Sequence, residues 1–396
     1  MTNVLRWFVV SVLVAHGLIH LLGVIKGLGW ADIAQLKQPI GTAGAVTWLV
    51  AAALVLTSAS LIAVRAPTWW WAVAVLAAVA SQIAITTSWS DAKVGTAGNV
   101  LLVLAAVYGF ASLGPTSFHA QFRDRAGEAL AEASATPAAT APVTEQDLAG
   151  LPEPLAHYVR RSGALGKPRV TSFSAEFHGR IRSGPGQQWM SFTGEQLNTF
   201  GPRPHRVFIM DATRSGLPVT VLHSFENTTA TMRAKVLSLF TVVNASGPEM
   251  DRGETVTVFN DLVVLAPGAI VDAPVRWTPV DAHHVRGVFT DGDETVAAEL
   301  TFDADHDLVD FVSDDRLRAS ADSRTFEQET WSTPLAGHRD SNGRRILTGG
   351  EGRWAAPEPE GTFTYIEFNI DDIAYNVHTS GEERTAATQD SVDVMP

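Results

Sequence analysis

The sequence predicts a membrane α-helical bundle of four transmembrane helices, followed by a C-terminal α+β domain. That second domain is dominated by a curved antiparallel β-sheet or half-open barrel with a packed helix. Three observations carry the prediction. Charge is segregated: residues 1–118 hold five of the 29 Lys/Arg and two of the 42 Asp/Glu, so that part is +3 and the remainder −16. Four uncharged apolar runs fill the first part. From Arg169 the hydrophobic pattern takes a period of two.

The apolar runs are Trp7–Ile25, Ile40–Val64, Ala66–Ser90 and Val94–Phe118. About 20 residues of helix cross the hydrocarbon core, so each run is long enough. The first run has no convincing small-x-small cleavage site and three more follow, so it reads as a span rather than a signal peptide. Short connections, such as Arg65-Ala-Pro67-Thr, fold the four into an antiparallel bundle. Seven of the eleven Trp lie here, and Trp69-Trp70-Trp71 stands at a helix entrance, where indoles favour the headgroup layer. Arg6, Arg65, Arg123 and Arg125 fall on one side and Lys26, Lys37 and Lys93 on the other. That lean puts both termini, and the C-terminal domain of a multi-pass cell-membrane protein, in the cytoplasm.

Polar residues within spans are costly and each needs a reason. His16 and His20 are four apart and share a helix face, suited either to a ligand pair or proton relay or to hydrogen bonds between helices. Ser81 and Gln82 read as interhelical hydrogen bonders. Trp89–Asn99 opens the fourth span, with Ser90 or Asp91 as a cap and Gly95, Gly98 and Asn99 allowing close packing. A sharper reading gathers His16, His20, Gln82, Asp91, Lys93 and Asn99 into one polar pocket at the membrane edge.

Three domains follow: 1–118 the helical bundle, 119–143 an Ala/Pro-rich linker, 144–396 a soluble mainly-β domain. The linker can begin as a helix, and Ala133–Pro142 reads as a flexible tether. Thr144-Glu-Gln-Asp147 is a helix start, and Leu155–Ser162 a short helix closed by Gly163. Arg160 and Arg161 then form a solvated helix end. Phe173, Ala175, Phe177 and Ile181 alternate with polar residues, as do Val296, Ala298, Leu300 and Phe302. Turn signals divide the region into roughly ten strands. A helix over 251–267 interrupts them, with Asp251-Arg-Gly-Glu254 as a capping box and Pro267-Gly268 as its stop.

Chemical motifs in this domain are sparse. There is no Gly-x-Ser-x-Gly, P-loop or His-Glu-x-x-His, and no Cys for disulfides, thiolate metal sites or nucleophilic attack. Phe302-Asp303-Ala-Asp305-His-Asp307 imitates a calcium loop but has Leu308 where Gly is required, so it reads as a hairpin turn. No metal or cofactor is assigned. The acidic total argues against nucleic acid as a partner. Asn260 and Asp261 fall mid-helix, unfavourable without partners, and are the main polar candidates, whereas Glu254 reads as a helix N3 residue. Asp314, Asp315 and Arg316 form a second group, by default a strand-end ion pair. Phe259 and Leu262 on the helix, with Trp277 and Trp331 on strands, are candidates to line a ligand pocket.

Glu254-Thr-Val-Thr-Val-Phe-Asn-Asp261 with Ala266-Pro267, Phe311-Val-Ser-Asp-Asp-Arg316, Trp331-Ser-Thr-Pro334 and Ile373-Ala-Tyr375-Asn376 resemble an uncharacterised bacterial family. Its members carry a C-terminal domain of unknown function, some behind a helical membrane part that His16-Gly-Leu-Ile-His20 and Trp89–Thr96 resemble. The resemblance implies no activity or catalytic residues.

Two functions are therefore expected in competition, with a purely structural interaction domain as a third reading. One is a binding module, tethered beside the lipid bilayer, that takes a lipid or other lipophilic small molecule. The other is a membrane enzyme, redox or hydrolytic, centred on the His pair or on the Asn260/Asp261/Asp314/Asp315/Arg316 group.

Overall fold

The computed structural model describes residues 3–64, 67–135, 141–320 and 325–377. Arg65 and half of the expected tether, residues 136–140, lie outside them. The chain divides into two units, residues 1–121 and, in the main, 122–396.

The first unit contains α1 (Asn3–Gly27), α2 (Thr42–Ala63), α3 (Trp70–Thr87), the single turn α4 (Trp89–Ala92) and α5 (Thr96–Leu113). Among the described residues, four helices are long and apolar enough to cross a membrane. Their shared core is built of small residues: Ala59, Ala74, Ala77, Ala105 and Ala106 surround Leu13, Val55 and Leu102. Alanine lets the helix backbones approach closely. Large apolar side chains instead face outward, including Phe8 (59% exposed) and Leu104 (61%). Asp91 accepts backbone N–H bonds from Lys37 (2.6 Å) and Gln38 (2.8 Å), which ties down the loop between α1 and α2.

Next comes α6 (Phe118–Ala135), then α7 (Glu145–Leu148) and α8 (Glu153–Arg161). The expected linker is thus largely helical, because Ala and Glu dominate Phe118–Ala135 and both favour helix. Nor is it free of the second unit: Glu132 pairs with Arg203 (2.6 Å) and His205 (3.1 Å). Thr144 and Asp147 make the reciprocal capping box expected at the start of α7. Arg160 and Arg161 are not merely solvated, for they pair with Glu145 (2.7 Å) and Asp307 (2.8 Å).

The sheet begins with β1 (Ser172–Ile181), β2 (Met190–Thr199), β3 (His205–Arg214), β4 (Leu217–Glu226), β5 (Thr229–Val236) and β6 (Phe240–Ser246). The helix α9 (Pro248–Val264) follows, with a 3₁₀ segment over Pro267–Asp272. Then come β7 (Val275–Pro279), β8 (His284–Asp291), β9 (Glu294–Phe302) and β10 (Leu308–Ser313). Two strands of a separate small hairpin, β11 (Leu317–Ala319) and β12 (Phe326–Gln328), precede β13 (Thr330–Ser332). A second such hairpin, β14 (His338–Ser341) and β15 (Arg344–Leu347), precedes β16 (Gly349–Ala355) and β17 (Thr362–Tyr375).

Thirteen strands form one sheet in the order β6-β5-β4-β3-β2-β1-β17-β16-β13-β10-β9-β8-β7. The sheet is not closed, and β6 and β7 are its edges. The chain meanders from the centre to one edge, crosses as α9, and meanders back from the other edge. Twelve inter-strand gaps of about 4.8 Å would hold flat edges roughly 58 Å apart. The crossing, 17 helical residues and six of 3₁₀, spans only about 37 Å. Strands of both halves meet α9, Phe289 and Phe311 on one flank and Arg206 on the other, so the sheet curls around it.

Being wrapped, α9 is buried on every side from Gly253 to Val264. It starts three residues before the expected capping box, at Pro248, after Gly247 turns the chain with φ 115°. Asp251 does not cap the helix. It accepts the Ala230 N–H of β5 (2.6 Å). On one flank Phe259 stacks on Phe289 (centroids 5.4 Å) and meets Phe311 edge-on (5.3 Å). Trp277 packs on the same ring (5.8 Å). Gly287 of β8 makes the room, because a Cβ there would fall 2.5 Å from Trp277 and 2.7 Å from Phe259. Gly287→Ala is therefore expected to cost about 1–3 kcal/mol through overpacking. Chemical denaturation of the detergent-solubilised chain measures this, and an unchanged midpoint would show an aromatic layer with slack.

Candidate functional site

On the opposite flank α9 faces β1–β5, β16 and β17, and the sheet's curvature exceeds what a helix about 10 Å thick can fill. A cavity of about 240 Å³ remains. Its wall is mostly apolar, supplied by Phe177, Phe192, Phe208, Met210, Val221 and Phe368. These side chains project from alternate positions of their strands, so one face of the sheet supplies them all.

One end of the cavity is polar and tightly built. Arg206 of β3 reaches α9, donating from Nη1 to Glu254 (2.6 Å) and from Nε to Asp261 (2.7 Å). Its Nη2 donates to the Gln196 carbonyl oxygen of β2 (3.1 Å). Asp261 also accepts from the Gln196 (2.7 Å) and Asn198 (3.1 Å) amides. Burial opposes the charge on Glu254, but the guanidinium groups of Arg206 and Arg316 prevail and hold its carboxyl below the usual range. Burial dominates at Asp261 and pushes its carboxyl up.

His223 of β4 completes this end. Its Nε2 lies 3.1 Å from Glu254 but lacks the alignment of a hydrogen bond. Burial, with help from Arg206 and Arg316, lowers its pKa to about 4, so the ring is neutral at pH 7. Arg316, beyond β10, lies over the Trp331 ring (4.5 Å) and donates to the Tyr365 hydroxyl (2.9 Å).

The expected site residues are distributed as follows. Asn260, Asp261, Arg316 and Trp331 meet at this cavity. Asn260 donates to Thr333 (3.1 Å). Phe259 and Trp277 lie in the aromatic layer on the other flank of α9. Leu262 faces a different cleft, of about 290 Å³, with Val258 and Phe289. Asp314 accepts from Thr330 (2.6 Å), and Asp315 pairs with Arg252 and accepts the Ala297 N–H (2.7 Å), so neither acid pairs with Arg316. Glu254, read as a helix-start residue, is instead an ion-pair partner within the site.

In the helical unit His16 Nε2 contacts Asn99 Oδ1 (3.1 Å) and Ser81 Oγ (3.2 Å), and Ser81 Oγ contacts His20 Nε2 (2.9 Å). The Asn99 amide donates to Gln82 (2.8 Å). Gly98 permits this, since a Cβ there would fall 2.6 Å from His16 Nδ1. Asp91 serves the α1–α2 loop and Lys93 is exposed, so neither joins the cluster. Among the described residues no three His, Asp or Glu are placed to hold a metal ion.

The depressed His223 pKa has a thermodynamic consequence. Between pH 6.5 and about 4 the unfolded chain binds a proton that the folded chain refuses. Stability from this group is full above pH 6.5 and falls as pH drops through that window, by about 3 kcal/mol at most. Acid-dependent unfolding of wild type and His223→Gln is expected to diverge there, with the variant showing the flatter profile. Parallel profiles would mean that His223 titrates normally.

No curated protein matches the chain. Among solved structures it is similar to a putative outer membrane lipoprotein-sorting protein domain from Vibrio parahaemolyticus. The TM-score is 0.32 and the identity 11%, over 55% of this chain and 91% of that one. It is also similar to a DUF1329 family protein from Desulfovibrio piger ATCC 29098, with TM-score 0.32 and 15% identity, over 57% of this chain and 93% of that one. Likeness at this level says nothing of what this chain binds. Residues 141–368, more than half of the chain and all of the cavity's walls, match the model of DUF6544, a family of unknown function, and the chain belongs to that family.

Proposed function

We propose that this protein is anchored in a membrane by its four apolar helices and binds a lipophilic ligand in the β domain. The observation that carries the binding reading is the apolar cavity between α9 and β1–β5. Concave, mostly apolar sites with a few convergent polar groups are the general form of small-molecule pockets. The catalytic alternative has less support, because its candidate acids are engaged: Asp261 by Arg206, Asp315 by Arg252, Asp314 by Thr330. The His16/His20 pair is engaged by Ser81 and Asn99.

Membrane anchoring is supported by outward-facing Phe8, Leu18, Ile19, Leu76 and Leu104 on helices of spanning length. With four spans both ends of the chain lie on one side, and the Arg/Lys balance makes that side the cytoplasm. The chain has no Cys, so single cysteines placed at Asn3 and Asp371 report their sides directly. An impermeant maleimide applied to intact cells should label neither and, after lysis, both. Labelling of one alone would refute the four-span count, and labelling of both in intact cells would reverse the orientation.

The binding reading is checked by filling the cavity. Val221→Trp places an indole in it while leaving the Arg206 cluster untouched. Saturable binding of a fluorescent dodecyl probe to the purified full chain should fall at least tenfold in the variant. Equal binding by both proteins would place the ligand elsewhere.

A further inference from the structure

We infer that the ligand is an anionic amphiphile, whose single acyl chain fills the cavity and whose carboxylate or phosphate is received by Arg316. This rests on the lipophilic reading above and specifies its ligand.

The argument starts from the two arginines at the cavity. Arg206 is saturated, with two carboxylates and an amide oxygen on its donors. Arg316 is not. Its one protein hydrogen bond among the described residues is to Tyr365, and no carboxylate there comes within ion-pair distance, Glu254 acting on it only from further off. The sequence neighbours that would neutralise it, Asp314 and Asp315, are turned to Thr330 and Arg252. Arg316 is nonetheless held firmly. The guanidinium lies 4.5 Å from the Trp331 ring and 5.6 Å from the Trp354 ring, and Tyr365 is itself a hydrogen-bond partner of Trp331 (3.3 Å).

A guanidinium fixed against aromatic rings, with donors to spare, is a preformed fork for carboxylate or phosphate. Its remaining N–H groups are not sealed from solvent, so water can reach them. An apolar chain entering the cavity displaces that water. A neutral ligand would then leave a cation desolvated and unpaired, which is strongly unfavourable. An anionic head removes the penalty. The volume limits the tail: about 240 Å³ lies below the roughly 300 Å³ at which typical small-molecule pockets begin, so one chain fits and a diacyl lipid does not.

The test uses the full chain in nanodiscs of zwitterionic lipid. The probes are two photoactivatable twelve-carbon compounds, an ω-diazirine dodecanoate and the matching dodecanol. Peptides carrying Met210 and Phe368 report labelling of the cavity. Dodecanoate should label them at least tenfold more efficiently than dodecanol. Arg316→Gln should abolish that preference while dodecanol labelling persists, which shows the cavity intact, and Arg316→Lys should restore part of it. Unlabelled dodecyl phosphate should compete, and inorganic phosphate at the same concentration should not. Equal labelling of wild type by both probes would overturn the anionic assignment and leave the lipophilic reading standing. Labelling by neither would overturn both. Full displacement by inorganic phosphate would show an anion site indifferent to the tail, and the amphiphile assignment would fall.

Discussion

The β domain depends on one bracket, the pair of bonds from Arg206 to Glu254 and Asp261. The two acids are seven residues apart, two turns of helix, so both point to the same side of α9. Burying them unpaired is prohibitive, and a single guanidinium on the neighbouring sheet satisfies both. The bracket fixes how α9 is rotated and how far it is inserted, because a shift of one residue would carry both acids away from the arginine. With that setting Phe259 faces the aromatic layer of β8 and β10, and Asn260 and Val264 face the cavity. Thr255 and Thr257, also buried, spend their hydroxyls on their own helix's carbonyls and need nothing from the sheet.

The wrapped sheet explains why there is a cavity and why it is one-sided. Large rings pack α9 tightly against β8–β10. On the other side the strands turn toward the helix without reaching it, and the longer polar side chains of β2 and β3 bridge the gap. The bonds from Arg206 to Glu254 and Asp261 span this gap beside the apolar space. Packing and site are thus two results of one arrangement, and the polar end of the cavity is structural before it is chemical.

Much of the architecture was legible in the sequence. The apolar runs, the change of period at Arg169 and the helix near 251–267 report local pattern, and local pattern is what periodicity records. The mid-helix acid Asp261 was legible as a residue in need of a partner. The partner was not, since Arg206 is 55 residues away and reads as a surface cation in a charged hairpin. A signal for it existed: Gln196 and Asn198 continue the face of Phe192 in β2, and Arg206 that of Phe208 and Met210 in β3, so polar residues interrupt an otherwise apolar face. His223 carried a similar signal on β4. The separation of Arg316 from its sequence neighbours Asp314 and Asp315 had none, because backbone direction at a strand end decides it. The capping-box pattern at Asp251 and Glu254 misled for a related reason, as both acids have tertiary partners stronger than a helix end.

The seam between β1 and β17 joins the first and last strands of the β domain at the centre of the sheet, where they pair over nine positions. Each half of the sheet is a meander, and the halves are joined by the β1–β17 pairing and by the α9 crossing. During synthesis the first half emerges with the open side of β1 unpaired, and its mate arrives some 200 residues later, roughly 10–40 s at ordinary elongation rates. For that interval the middle of the finished sheet is an exposed edge, the kind of surface on which chains stick to one another. The assembly of this domain is therefore timed by its last strand, and a ribosome that stops just short of residue 362 releases two half-sheets held through α9 without their central seam.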